Sequence, residues 1–174
     1  MSGNRLETAR LCLRPIAPAD GEALEALFAD PVVRRWLLDD TVMPREWVDE
    51  VIAGSEADFA ARRCGLWRVG AAEGDALVGV VGYRDFFEPP VFEIIWLFHP
   101  DHHGQGLAEE AVRAALRHGF EAGGLDPIRA STDAPNEASI RLAARLGFQE
   151  TGREPGPSGE TIHYALARAR FSAP

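Results

Sequence analysis

The sequence predicts an α/β fold with a single mixed central sheet flanked by helices. Three observations carry that prediction. Short apolar or alternating runs of strand length recur along the chain, with helical patterns between several of them. One such run, Val91–Phe98, passes through a glycine-containing turn straight into a helical pattern, with Leu107, Ala111, Ala115 and Gly119 in one row and Ala108, Val112, Leu116 and Phe120 in the next. Glu109, Glu110, Arg113, Arg117 and Glu121 fall outside both rows, so this helix has one dry and one wet face. Finally, 174 residues, 46% apolar and 26% charged, suit one domain over 1–174 with a substantial core.

The elements follow in order. Within Leu6–Pro15, the segment Leu11-Cys12-Leu13-Arg14-Pro15 alternates as a strand and is stopped by proline. Asp20 precedes Ala23, Leu24, Leu27 and Phe28 at helical spacing and is a candidate cap. Asp30-Pro31 breaks that helix, Val32–Leu38 forms a short second one, and Pro44 opens a longer one through Trp47, Val48, Val51 and Ile52 toward Phe59. Leu66–Ala71 and Ala76–Phe86, joined through Glu73-Gly74-Asp75, read as a hairpin. Glu88-Pro89-Pro90 turns the chain into Val91–Phe98, and Gly123-Gly124 ends the amphipathic helix. Ile128–Thr132 is a short strand. Asp133-Ala134-Pro135-Asn136 leads into a helix, Glu137–Leu146, ended by Gly147. Phe148–Arg153 and Thr161–Ala167 close the chain as two strands around the loop Glu154-Pro155-Gly156-Pro157-Ser158-Gly159.

Composition excludes several classes. A formal net charge of −9 argues against non-specific nucleic-acid binding, where lysine and arginine neutralise phosphates. Met1–Glu7 has no apolar h-region, and no stretch approaches ~18 apolar residues, so neither a secretory signal nor a membrane span is expected and the protein is read as cytoplasmic. Cys12 and Cys64 have no metal-ligand spacing and read as buried or idle thiols in a reducing compartment. His99, His102 and His103 surround Asp101, but three rings in one turn do not converge easily, so no metal is expected.

The turn itself carries chemistry. Gly104 and Gly106 let the backbone turn tightly and leave no Cβ over the first helical amides. Those amides have no intrahelical partner, and the helix dipole is positive there, so the junction is an anion site or simply a strand-to-helix turn. It is not a P-loop, because no lysine follows. It is not a dinucleotide fingerprint, because Glu109 stands where a third glycine is needed. Glu93 is the only acid within Val91–Phe98. A carboxylate in a mostly dry strand tends toward a raised pKa and suits a general base, unless it points outward to solvent.

At these residues the chain resembles a known family. His103-Gly104-Gln105-Gly106-Leu107-Ala108 resembles the acetyl-CoA pyrophosphate loop, Gln/Arg-x-x-Gly-x-Gly/Ala, of the general-control-related N-acetyltransferase (GNAT) superfamily. His103 departs from the usual Gln or Arg. Glu93-Ile94-Ile95-Trp96 through Glu110-Ala111 is similar to the branch of ribosomal-protein N-terminal alanine acetyltransferases. Leu6-Glu7-Thr8-Ala9-Arg10-Leu11-Cys12-Leu13-Arg14-Pro15 resembles that branch's opening Thr-x-Arg-Leu-x-Leu-Arg. Asn136-Glu137-Ala138-Ser139 through Leu146-Gly147-Phe148 resembles its Asn-x-x-Ser…Gly-Phe segment. By three separated matches in the right order the chain is identified as a member.

The resemblance implies the GNAT fold and direct acetyl transfer from acetyl-CoA to a primary amine in a ternary complex, without a metal. It implies a protein N-terminus as acceptor. A small amine such as an aminoglycoside or polyamine is the alternative, and a homodimer is compatible. Residues 103–108 would hold the pyrophosphate, while main-chain groups of Trp96, Leu97 and Phe98 would meet the pantetheine and the acetyl carbonyl. Asn136 would touch the pantetheine arm or cap its helix. Glu93 would be the base, often acting through water. Many members carry a tyrosine acid where this chain has Ala143; the similar branch instead has a serine at Ser139, as a hydrogen-bond donor to sulfur. Arg141 and Arg145 would meet the nucleotide phosphate or solvate their helix face. Trp36, Trp47 and Phe59 would wall the acceptor or pack the core. The chemistry asks little of acid or base: a free α-amine has a pKa of roughly 8 and a thiol of about 8.5, so positioning and fixed N–H donors supply much of the rate. Two other classes remain: a non-catalytic acyl-CoA-binding domain, which keeps the 103–108 loop without depending on Glu93, and a phosphate-binding module unrelated to CoA.

Overall fold

In the computed structural model, which describes residues 4–72, 74 and 76–171, the chain opens with β1 (Leu6–Glu7) and β2 (Leu11–Pro15). Three helices follow, α1 (Gly21–Ala29), α2 (Pro31–Leu37) and α3 (Arg45–Arg62). Then come β3 (Leu66–Ala71), β4 (Leu77–Phe86) and β5 (Val91–Phe98), followed by α4 (Leu107–Glu121), β6 (Ile128–Asp133) and α5 (Glu137–Leu146). The hairpin β7 (Gln149–Gly156) and β8 (Gly159–Leu166) ends the fold. The strands form one sheet of eight in the order β1-β2-β3-β4-β5-β6-β8-β7. All neighbours are antiparallel except β5 and β6, which are parallel. The predicted mixed α/β sheet is therefore observed.

Two apolar cores form around this sheet. Helices α4 and α5 share one core with Trp67, Tyr83, Ile94, Ile128 and Leu166. Helices α1, α2 and α3 share the other with Leu66, Val80 and Leu97. The small-residue row predicted for α4 has a specific cause. Tyr83 is fully buried, and its hydroxyl donates to the Ala115 carbonyl at 3.0 Å. A Cβ at Gly119 would collide with that hydroxyl and lie 2.8 Å from Cζ of the same ring. Glycine is a poor helix former, so its presence here is dictated by the close approach of helix to sheet.

Several elements depart from the sequence reading. Leu6–Pro15 is two strands: Leu6 pairs with Leu13 across a reversal at residues 8–10. Asp20 does not cap α1 with its side chain. It is 4% exposed and accepts from the Ala17 amide at 2.9 Å and from Arg14 Nη1 and Nη2, each at 2.7 Å. Burial raises its carboxyl pKa, but the Arg14 and Ala17 bonds and the charges of Arg14 and Arg68 outweigh that and hold it below the usual range. The expected loop 154–159 is mostly strand, because β7 and β8 pair as far as Gly156 opposite Gly159. Pro155 is tolerated because β7 is an edge strand, where a missing N–H leaves no ladder bond unmade. Trp47 packs edge-on against Phe28 at 5.3 Å and Phe59 against Trp67 at 4.9 Å, so both pack onto the core, and neither lines the two cavities described below.

Cys64 is buried, and burial pushes its thiol up to about 12; Cys12 is partly exposed. Of the expected turn Glu73-Gly74-Asp75, only Gly74 is among the described residues, and Met1–Gly3 lie outside them. Among the described residues no helix is long and apolar enough to cross a membrane.

Gly119→Ala should destabilise the fold by about 1–3 kcal/mol, because overpacking against Tyr83 exceeds the gain in helix propensity. The double variant with Tyr83→Phe should lose less than the sum of the two single losses, since the colliding oxygen is gone. Urea denaturation of the three variants checks both statements.

Candidate active site

Strands β5 and β6 share a single ladder pair, Glu93 opposite Arg129. Beyond it they part, and a cleft of about 660 Å³ opens between them. Of the residues singled out in the sequence, Trp96, Leu97, Phe98, His103, Gly104, Gly106, Leu107, Ala108, Asn136 and Ser139 all line this cleft, together with Trp36 of α2. Gln105 does not. Its side chain donates to the Asp101 carbonyl at 3.0 Å, inside the turn.

Gly104 (φ 73°) and Gly106 (φ 75°) both take the left-handed conformation, which side chains rarely adopt. A Cβ at Gly104 would meet nothing within 4 Å, so that glycine faces open space. The first helical bond onto Gly106 comes from Glu110, which leaves the amides of Leu107, Ala108 and Glu109 at the positive end of the α4 dipole without an intrahelical acceptor.

A brace from the other end of the chain holds this turn. Thr8 Oγ1 and the Arg10 amide both donate to Glu110 Oε1, at 2.6 and 2.9 Å. Arg10 Nε donates to Glu110 Oε2 at 2.7 Å, and Arg10 Nη1 to the Gln105 carbonyl at 2.9 Å. Burial raises the Glu110 pKa, but these bonds outweigh it and hold the carboxyl low. Glu109, its neighbour, is held low by hydrogen bonds from Arg113 (2.9 Å) and Arg145 (3.0 Å). Arg145 thereby ties α5 to α4 and borders the cleft, whereas Arg141 pairs with Glu137 on an exposed face. Arg141 thus fits the solvated-face reading, while Arg145, 55% exposed, is solvated and also borders the cleft.

His103 takes a role that its sequence position did not reveal. Its Nε2 lies 2.9 Å from the Phe98 carbonyl, so the ring fastens the end of β5 to the turn. Because a carbonyl only accepts, Nε2 carries the hydrogen. The His99 and His102 rings sit 6.2 Å apart, and among the described residues no three acids, histidines or cysteines are grouped to hold a metal ion.

Glu93 is 3% exposed and accepts a 2.6 Å bond from the Ser131 hydroxyl. Burial pushes its carboxyl above the ordinary carboxylate range, partly offset by the Ser131 bond and the charges of His163 and Arg129. It lines a second cavity of about 690 Å³, with Phe87, Glu88, Arg129, Glu154 and His163. Ser131 lines the first cleft, so the Glu93–Ser131 bond joins the walls of the two spaces. At the start of α5, Asn136 Oδ1 accepts from the Ser139 amide at 3.3 Å while both residues line the cleft, so helix capping and access to the cleft coexist.

Sequence reasoning missed Ser131, Arg129, His163 and Glu154. Their relation to Glu93 exists only through the non-sequential ladder β5-β6-β8-β7. Thr8, Arg10 and Glu110 lay inside recognised motifs, but nothing in the sequence joined them.

Ser131→Ala should raise the Glu93 pKa further, because it removes a hydrogen bond to the ionised form; carboxyl-carbon NMR titration reads this. Arg10→Ala should accelerate hydrogen exchange of the amides at 104–107, while Arg141→Ala should leave them unchanged.

Residues 10–149 match the model of a family described as an acetyltransferase (GNAT) domain. The N-acetyltransferase YoaA of Bacillus subtilis (strain 168) is 32% identical over 172 residues, covering 95% of this chain and 97% of its own length. Among solved structures, a GnaT-family acetyltransferase from Bordetella pertussis is similar with a TM-score of 0.82 at 23% identity, over 94% of this chain and 99% of the other. RimL, a ribosomal L7/L12 alpha-N-protein acetyltransferase solved in complex with coenzyme A, gives a TM-score of 0.79 at 16% identity, over 94% and 97%. The two structural likenesses show a shared fold. The family model and the YoaA identity go further, and with the parted strands and glycine turn in place the chain belongs to the GNAT acetyltransferase family.

Proposed function

We propose that this N-acetyltransferase moves an acetyl group from acetyl-CoA to a protein N-terminal amine by direct transfer in a ternary complex. One observation carries the reading. A buried carboxylate, Glu93, sits where β5 and β6 part, and its hydrogen bond to Ser131 links the cleft on one side to the second cavity on the other. The cofactor cleft and the acceptor cavity then meet at a base.

The residues present fit acetyl-CoA. The open space over Gly104 and the free amides of Leu107–Glu109 suit a pyrophosphate, with Arg145 at the rim. The edge of β5 from Ile94 to Leu97, turned away from β6, offers main-chain groups to the pantetheine amides. The Phe98 carbonyl already receives the His103 bond. When bound, acetyl-CoA supplies the acetyl thioester. Glu93 takes one proton from the acceptor ammonium, so that the neutral amine can attack. The second proton lost from that nitrogen goes to the departing sulfur, to which the Ser139 hydroxyl would donate a hydrogen bond. A thiol pKa of about 8.5 makes a stronger acid unnecessary, which is consistent with Ala143 standing where many relatives carry tyrosine.

The protein N-terminus as acceptor rests on the motif resemblance and on RimL, whose own activity is alpha-N-protein acetylation. The reading places the enzyme in the cytoplasm, with its cosubstrate.

Thiol release from acetyl-CoA, followed with N-terminal peptides, polyamines, aminoglycosides and amino acids, tests the reading. Release well beyond the two protein cysteines, sustained by peptides, is expected. Sustained release with another amine class alone would reassign the acceptor. Silence in a sample that binds acetyl-CoA would favour a binding module. Glu93→Gln should lower kcat by about 100-fold or more while acetyl-CoA affinity stays within about twofold. The wild-type kcat/KM should fall as pH drops through the raised Glu93 pKa, above the ordinary carboxylate range, because the protonated carboxyl cannot accept a proton.

A further inference from the structure

The transferase reading raises a question of proton traffic, and the inference here rests on that reading. Acetylation of an ammonium ion yields an amide, a thiol and one net proton. Glu93 receives that proton in a position only 3% exposed, and must lose it before the next cycle. The second cavity, which Glu93 lines, offers an exit, provided that a group there can take the proton on.

The sheet register supplies one. Alternate residues of a strand share a face, so Glu93 on β5, Arg129 and Ser131 on β6, and His163 and Ala165 on β8 lie on the same side. Ser131, which donates to Glu93, stands directly opposite His163. Glu93 and His163 are two strands apart, about 10 Å between backbones, and both side chains line the same cavity. His163 Nε2 lies 3.0 Å from Glu154 Oε1 on β7, and the two side chains are 26% and 54% exposed. A carboxylate accepts, so Nε2 carries the hydrogen and Nδ1 is left as the basic nitrogen. The ring is steadied by Phe87, 5.3 Å away between centroids. The other charged groups lining this cavity are Glu88 and Arg129. Arg153 and Glu160, on the same hairpin, pair with each other.

We propose that His163, oriented by Glu154, relays the proton from Glu93 to bulk water. The O–H bond of the protonated Glu93 carboxyl breaks and an N–H bond forms at Nδ1, through water in the cavity. The resulting imidazolium is balanced by the Glu154 carboxylate and loses a proton to water or buffer, which restores the neutral ring. No oxidation state changes, and water is the sole co-reactant. His163 acts through Glu93 and does not touch the reacting carbonyl.

The test is chemical rescue in the full-length protein, with an amine that the wild type acetylates. In weak buffer at fixed pH, His163→Ala should lower kcat by about 10-fold or more and leave the KM for acetyl-CoA within about twofold. Added imidazole should restore kcat in a saturable way, entering the space left by the ring. Wild type and Glu93→Gln should not respond. Glu154→Gln should lower kcat by less than His163→Ala. A His163→Ala enzyme with wild-type kcat in weak buffer would overturn the relay. So would a loss that imidazole fails to restore while circular dichroism and melting show an intact fold. His163→Gln, closer in size, gives the same two readings of rate and buffer dependence should the alanine variant not fold. Absence of turnover by the wild type would instead defeat the transferase reading, and the relay with it.

Discussion

The single ladder pair between β5 and β6 is the constraint on which the rest of the structure depends. Neighbouring strands in a sheet normally satisfy each other's backbone groups, and a buried polar group left unpaired costs about 1–3 kcal/mol. Here pairing stops after Glu93 and Arg129, and the edge of β5 faces a cleft. The gap stays open because each side is held elsewhere. β5 is fully paired along β4, while β6 is paired along its whole length to β8. Helix α5, packed beside α4, fills the far wall with Leu142 and Leu146 in the core and leaves Asn136 and Ser139 at the opening. The sheet thus pays at one seam for a slot lined by unpaired strand edge.

Charge is managed with similar care at the glycine turn. Acids in the first turn of a helix stabilise it through the dipole, but at an anion site they oppose the ligand. Glu109 and Glu110 occupy that turn, and both are occupied by arginines. Glu110 is gripped by Arg10 and Thr8 from the turn between β1 and β2, and Glu109 by Arg113 and Arg145. The same bonds fix the geometry, because Arg10 also holds the Gln105 carbonyl. The opening Thr-x-Arg motif and the acids of α4 are therefore two halves of one brace. This gives a physical reason for finding them together in a sequence that separates them by about a hundred residues.

The strand Val91–Phe98, the dry rows of α4 and the glycine turn were legible because each is encoded by neighbours in sequence, through periodicity and left-handed backbone. The edge strand β7 was cut short in the reading because prolines look like loop residues until the strand is known to have a free side. Asp20 looked like a cap because its partners Arg14 and Arg68 come from two other elements. Trp47 and Phe59 were ambiguous since an aromatic residue suits a core and a substrate wall equally well; Phe28 and Trp67, their contacts, decide the matter. Ser131 and His163 could not be found at all. Ser131 approaches Glu93 because β6 runs beside β5, and His163 because β8 lies against β6, an order that no local pattern announces.

That order also sets the conflicting demands on Glu93 in its proposed role as base. A base must be ionised at working pH, yet its proton affinity should approach that of the amine, whose pKa is roughly 8. Each pKa unit of mismatch leaves about 1.4 kcal/mol of uphill proton transfer. Burial pushes Glu93 upward and narrows the mismatch, but burial alone would drive the carboxyl toward the neutral acid. Ser131 donates to one oxygen, and the charge of Arg129, joined by that of His163 whenever its ring is protonated, favours ionisation. The carboxylate is kept charged by groups from β6 and β8 and made more basic by the dryness of β5. Pairing with β6 at this one position places both influences on one side chain, so the seam from which the cleft opens is also what tunes the carboxyl.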